Sequence, residues 1–232
     1  MPQLSDDRVR LLYQQFTGAQ LPAYYPKWRT DFTTTVAHFA SLTDQQLRAP
    51  AEQENLWRAR GISGIGPGEG VDVKQAYRDD EIVNAIVKLR SSDWPGDIKA
   101  RASALQAHYQ QILDLVTART GGRTPHAKLA RVFTALLPRE LDTCYSWKPR
   151  QAVAELILGT KGLGFIETGF LIRNKLEDLL GPATTLDEMA SRVQFVWWLY
   201  ENRDAATGDA VVQSATGTPD RKRGAVRRVV FR

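Results

Sequence analysis

The sequence of 232 residues holds one cysteine, three histidines and two methionines. A lone Cys144 excludes an intramolecular disulfide framework and a cysteine-based zinc site. No apolar run approaches the roughly 20 residues that span a bilayer. The start, MPQLSDDRVR, lacks the basic-then-apolar pattern of a secretory leader. The expected location is therefore the cytoplasm, with no membrane partner. His38, His108 and His126 are scattered, with no H-x-x-x-H and no histidine–carboxylate pair at ligand spacing. No metal and no cofactor are expected. Period-2 alternation is missing outside the last residues, so no sheet is expected. No repeat of fixed period marks a solenoid.

What is present is ordinary globular composition. Hydrophobic residues make up 43% and charged residues 25%, which excludes wholesale disorder. The length suits one large domain or two small ones. A net charge of +5 suggests nucleic acid, but its distribution matters. Residues 204–232 hold Arg221, Lys222, Arg223, Arg227, Arg228 and Arg232 against Asp204, Asp209 and Asp220. More than half of the excess thus lies in a segment with the Ala/Thr/Gly/Ser composition of a linker. The remaining body is nearly balanced, so a nucleic-acid site there must be a local patch.

The body reads as helices. Asp6–Phe16 carries Val9, Leu11, Leu12 and Phe16 on a partly apolar stripe, and Trp28–Phe39 carries Phe32, Val36 and Phe39. The run Thr33-Thr34-Thr35 weakens the second. Thr43 caps a short segment ended by Pro50, and residues 51–59 form another carrying Leu56 and Trp57. Asp79-Asp80 starts a helix through Arg90. Asp97 starts the longest, in which Ile98, Ala102, Leu105, Tyr109, Ile112 and Val116 keep 3-4 spacing for about six turns. Lys128–Leu137, Pro149–Gly159, Phe165–Leu180 and Thr185–Glu201 follow. The expected fold is mainly α: a helical domain with a glycine-rich loop at 61–70, room for two packed subdomains, and a flexible C-terminal tail. The turn TGGRTPH would divide a unit 1–119 from a unit 127–203, with 204–232 as a linker-like basic tail.

The most unusual stretch is LWRARGISGIGPGEGVDVKQAY, with glycines at 61, 64, 66, 68 and 70. Clustered amides can cradle phosphate. The P-loop pattern fails, because Glu69 or Val71 stands where Lys-Ser/Thr is required, and the flanks do not suit a dinucleotide fingerprint. The alternative is a structural connector that orders Trp57 against the core. Arg58, Arg60, Lys74 and Arg78 bracket the loop and are the candidate DNA-binding residues, a basic rim suited to a phosphodiester. They read equally as four surface cations.

Catalytic residues are not found. Asp72-Val73-Lys74 has the spacing of half a metal-dependent nuclease core, but the second half is missing. Cys144 reads as a buried thiol. His108 reads as a half-buried packing residue, and GTKGLG at 159–164 as a helix-ending turn. In Trp197-Trp198 the two rings cannot face one core, since adjacent helix positions differ by about 100°. Trp198 is therefore a candidate exposed anchor for a protein partner. In LPAYYPKWR, Tyr24, Tyr25 and Trp28 interleave with Lys27 and Arg29, a pattern that stacks bases or simply starts an amphipathic helix.

The run LWRARGISGIGPGEGVDV with the acid-capped DDEIVNAIVKLR resembles the region upstream of the motor in McrB-like AAA+ restriction proteins. KLARVFTALLPRELDTCYS and RVQFVWWLYE resemble parts of the same module, so the likeness covers about residues 50–203. It implies a non-catalytic recognition module of a restriction or antiphage system that binds DNA, partnered by an AAA+ motor domain or nuclease subunit. The missing P-loop places any motor on another domain or subunit. Two alternatives remain: an assembly module without nucleic-acid binding, and a cryptic metal-dependent nuclease.

Overall fold

A computed structural model describes residues 3–62 and 70–208. Among these it contains α-helices and one 3₁₀ turn and no strand. The fold is mainly α, as the periodicity predicts. The helices are α1 (Asp6–Gly18), α2 (Tyr24–Ser41), α3 (Asp44–Leu47), α4 (Pro50–Trp57), α5 (Asp80–Ser91), α6 (Ile98–Arg119), α7 (His126–Leu136), α8 (Trp147–Leu158), α9 (Phe165–Leu180), α10 (Leu186–Glu201) and α11 (Arg203–Ala206). The 3₁₀ turn, Ala76–Arg78, precedes α5. Among the described residues, no helix is long and apolar enough to cross a membrane.

The ends of these helices follow from local chemistry. Thr43 and Gln46 close a reciprocal capping box on α3, and Thr185 with Glu188 does the same on α10. Asp79 caps α5 through the amides of Glu81 and Ile82, and Asp97 caps α6 through that of Ala100. Gly159, at φ 66°, ends α8 in the left-handed conformation. Pro50 does not merely stop α3 but opens α4 at its first position, where a missing N–H costs nothing. Pro149 lies one turn into α8, which begins at Trp147, so its missing N–H still falls among the unpaired amides of a helix start.

Helix α2 runs straight through its threonines. Thr33 and Thr35 turn their hydroxyls back onto the carbonyls of Thr30 and Asp31, at 3.1 and 2.7 Å. The buried stripe of Phe32, Val36 and Phe39 outweighs the modest propensity cost of β-branching.

Buried apolar residues fall into two clusters. Phe32, Leu56, Trp57, Ile86, Leu105, Ile112 and Phe133 belong to one, drawn mainly from α2 and α4–α7. Val9, Phe16, Ile157, Leu176, Phe195 and Leu199 belong to the other, drawn mainly from α1 and α8–α10. Thus α1 packs with α9 and α10, while α7 packs with α2, α4 and α5. Helix α10 is wrapped on most sides, with ten buried residues, and seats against α2. That contact brings the start of α2 beside residue 201.

Candidate nucleic-acid interface

The glycine-rich loop is fastened at both flanks. A Cβ added at Gly61 would lie 2.1 Å from Thr35 Oγ1 and 2.6 Å from the Asp31 carbonyl, so only glycine lets the chain pass this close to α2. The next residue, Ile62, is fully buried, and its carbonyl accepts a hydrogen bond from Trp28 Nε1 at 3.2 Å. From α7, Arg131 donates to the Trp57 carbonyl and Lys128 to that of Val71. Trp57 is fully buried. The phosphate cradle read at Gly64, Gly66 and Gly68 lies outside the described residues.

All four candidate cations are exposed. Arg58, the residue after α4, pairs with Glu54 at 2.6 Å, so part of its charge is already offset. Arg60 follows it. Lys74 begins the segment leading into the 3₁₀ turn, and Arg78 closes that turn with its guanidinium 6.0 Å from the Tyr77 ring centroid. Helix α4 packs directly against the 3₁₀ turn, which brings together the two segments that carry Arg58 and Arg78. Among the described residues, Arg60, Lys74 and Arg78 have no carboxylate partner. Neighbouring acids are mostly occupied: Asp72 accepts the Lys74 amide at 3.0 Å, and Asp79 and Glu81 pair with Arg119 at 2.6 and 3.6 Å. Asp80 stays exposed beside them. The tail cations Arg221, Lys222, Arg223, Arg227, Arg228 and Arg232 lie outside the described residues.

The side chains with catalytic potential are spread through the fold. Asp72 lies in irregular chain before the 3₁₀ turn rather than at a strand pair, and its carboxylate accepts the Lys74 amide. Among the described residues no three His, Cys, Asp or Glu side chains group as metal ligands. His38 lies 2.8 Å from Glu52, a pairing across helices that sequence spacing does not reveal. His108 is half-buried, meeting the Ala85 carbonyl at 3.2 Å and the Trp94 ring edge-on. His126 has its pKa lowered by burial, and Tyr109 donates its hydroxyl to the His126 carbonyl at 3.1 Å. Cys144 is buried, and desolvation pushes its thiol up to about 12. In the 159–164 turn, Gly164 opens α9 and donates its amide to Glu167 at 2.9 Å.

The tryptophan pair resolves against the expectation. Trp198 is buried, 8% exposed, and stacks on Phe195 at 5.9 Å between centroids, so it offers no anchor to a partner. Trp197 is the half-buried member, held by its Nε1 donating to the Thr143 carbonyl at 3.3 Å. Among the described residues, the exposed large aromatics are instead Tyr24 and Trp147, at 59% and 50%.

Two recesses are walled by aromatic rings. Tyr24, Tyr25, Trp28 and Trp197 surround one of about 240 Å³, together with Thr143, Gln194 and Glu201. Tyr109, His126, Tyr145, Trp147 and Phe165 surround a second of about 500 Å³. Sequence reading missed both, because their walls come from distant segments. The cations interleaved with Tyr24 and Trp28 are already engaged: Lys27 with Asp31 at 2.8 Å, and Arg29 with Gln194 and Asp187.

The chain matches no protein-family model, no curated protein and no solved structure.

Proposed function

We propose that this chain is a non-catalytic recognition module that binds DNA and works beside an AAA+ motor domain or nuclease subunit of a McrB-like restriction system. The observation that carries the DNA contact is the exposure of Arg60, Lys74 and Arg78 without carboxylate partners among the described residues, on segments buttressed by the packing of α4 on the 3₁₀ turn. Cations left unpaired at a rigid surface are available to displace counterions from a phosphate backbone. Arg58 contributes less, because Glu54 competes for it. The likeness of LWRARGISGIGPGEGVDV to McrB-like upstream regions supports the biological setting.

Mobility-shift titration of a DNA duplex at two salt concentrations tests the contact. The triple variant R60E/K74E/R78E is expected to bind more weakly and with a flatter salt dependence, by about one unit of log–log slope for each phosphate no longer neutralised. Circular dichroism checks that the variant stays helical. Absence of binding at low salt, or unchanged binding by the triple variant, sinks the assignment. In that case light scattering with candidate partners addresses an assembly role, for which the exposed Trp147 offers a contact.

A further inference from the structure

The recess between α2 and the end of α10 has a composition that fits neither the DNA contact nor ordinary core packing. Its walls are the rings of Tyr24, Tyr25, Trp28 and Trp197, and its one charged group is Glu201. Three of the walls are fixed by hydrogen bonds. Trp28 donates to the Ile62 carbonyl at 3.2 Å, Trp197 to the Thr143 carbonyl at 3.3 Å, and Tyr25 donates its hydroxyl to Glu201 Oε2 at 3.3 Å. Gln194 braces the floor by donating to the Tyr25 carbonyl at 2.8 Å. A cage held this way loses little freedom when something enters it.

Among the described residues, Glu201 has no cation of its own. The nearby arginines are committed elsewhere, Arg29 to Asp187 and Gln194, and Arg203 to Asp204 and the Tyr200 ring. Glu201 is solvent-exposed, and partial desolvation raises its pKa, opposed by the Tyr25 hydroxyl that orients the carboxylate. Aromatic rings around an unpaired carboxylate are complementary to an organic cation.

We propose that this recess binds an organic ammonium head group, with the rings of Tyr24, Trp28 and Trp197 covering its carbon surface and Glu201 supplying the counter-charge. The alternatives fit less well. A phosphate-bearing ligand would be repelled by Glu201. A bare metal ion needs more oxygen ligands than one carboxylate supplies. A guanidinium would share one carboxylate oxygen with the Tyr25 hydroxyl. The volume of about 240 Å³ lies below the roughly 300 Å³ at which cofactor-sized pockets begin, which suits a head group. Such a group is carried either by a free quaternary amine or by a methylated lysine side chain.

Titrating the full chain while following tryptophan fluorescence tests this. The probes are tetramethylammonium chloride and choline for a free amine, and a capped peptide with one trimethyllysine for a protein-borne source. 3,3-Dimethyl-1-butanol, the uncharged carbon analogue of choline, is the control, with sodium chloride matching ionic strength. Saturable binding is expected for at least one cationic probe and roughly tenfold weaker binding for the neutral analogue. Choline with tetramethylammonium points to a free amine; the peptide alone points to a protein partner. E201Q keeps an oxygen for the Tyr25 hydroxyl but removes the charge, and is expected to weaken the cation roughly tenfold without affecting the neutral analogue. Y24A, at an exposed position, is expected to weaken it as well, with circular dichroism checking that the variant stays helical. The proposal is overturned if no cationic probe saturates, if the neutral analogue binds equally well, or if E201Q and Y24A both leave affinity unchanged.

Discussion

Arg150 and Asp142 form a fully buried ion pair, with Nη2 of the arginine 2.7 Å from Oδ1 of the aspartate and neither side chain more than 1% exposed. The same Oδ1 accepts the Cys144 amide at 2.5 Å, and Arg150 donates to the Phe165 carbonyl at 2.7 Å while its guanidinium carbon lies 4.1 Å from the Phe165 ring centroid. Burial, the largest influence, would lower the arginine pKa, but Asp142 together with Cys144 and Tyr145 outweighs it and the net shift is upward. One pair therefore ties the 137–146 segment, α8 and the start of α9 together. Removing one partner leaves the other charged and buried. D142A and R150M are each expected to cost about 3–5 kcal/mol in urea denaturation, while R150M/D142A costs clearly less than their sum. Additive losses would mean that the two side chains act independently.

Gly169, in the middle of α9, is a test of the same contact. Ala normally stabilises an exposed helix interior over Gly by about 1 kcal/mol. Here an added Cβ would lie 3.1 Å from Arg150 Cζ, from Arg150 Nη2 and from Asp142 Oδ2, atoms that the ion pair holds in place. G169A is therefore expected to lower the denaturation midpoint in the wild-type background. In R150M, where a flexible side chain replaces the guanidinium, the same change should be nearly neutral. A stabilising G169A in the wild type would show that the pair yields easily.

Local chemistry made the helices legible. Asp79, Asp97 and Thr185 announced helix starts because a capping side chain acts on amides two or three residues away, well within reach of a short window. The exposure of Arg58, Arg60, Lys74 and Arg78 was readable too, and the Glu54–Arg58 pair follows from four-residue helical spacing. The choice within Trp197-Trp198 was not, since either ring could have faced inward and only the seat of α10, which sets Trp198 against Phe16 of α1 and Trp197 beside α2, decides it. The same packing joins Tyr24 and Trp28 to Glu201 across more than 170 residues, and no local pattern encodes such a meeting. His38 with Glu52 and Asp142 with Arg150 were hidden for the same reason.

Asp79 combines a helix cap with an ion pair, and pH separates them. The hydrogen-bonded Arg119 guanidinium holds its carboxyl below the ordinary range, opposed by some desolvation and helped by the Ile82 and Glu81 amides. A depressed folded-state pKa means that the stabilisation is present above the unfolded value of about 3.9 and is lost as pH falls through the folded value. D79N keeps a capping oxygen but no charge, so its stability should depend less on pH across that acid limb. D79A should lose about 1 kcal/mol more than D79N at neutral pH, through the missing cap. Thermal melts from pH 2 to 7 compare all three. Parallel pH curves for the wild type and D79N would assign the acid sensitivity to other carboxylates.

Cys144 offers a probe of opening motions. Burial, reinforced by nearby Asp142, pushes its thiol up to about 12, against a partly opposing Arg150. At pH 8 the folded chain should react with a disulfide reagent on the order of a thousandfold more slowly than the unfolded chain, from the thiolate population alone. D142A should accelerate labelling by making local opening easier, even under conditions where the chain stays folded. Rapid labelling of the native wild type would place the thiol at the surface.

Gly61 tests whether the anchoring of the glycine-rich loop matters to the basic rim. In G61A the new methyl carbon would meet Thr35 Oγ1 at 2.1 Å and the Asp31 carbonyl oxygen at 2.6 Å. The hydroxyl can rotate away, but the carbonyl belongs to the backbone of α2 and cannot move without distorting the helix. Overpacking of this kind costs about 1–3 kcal/mol. Adding T35A removes the first clash and leaves the second, so G61A/T35A should recover only part of the stability lost. The displaced chain would pull the Ile62 carbonyl from Trp28 Nε1, which a shift in tryptophan emission reports. If the cations depend on that anchor, G61A should also weaken DNA binding by more than its stability loss explains at a temperature where the chain remains folded. Unchanged affinity beside a changed emission would show that Arg60 and Lys74 are presented independently of the α2 contact.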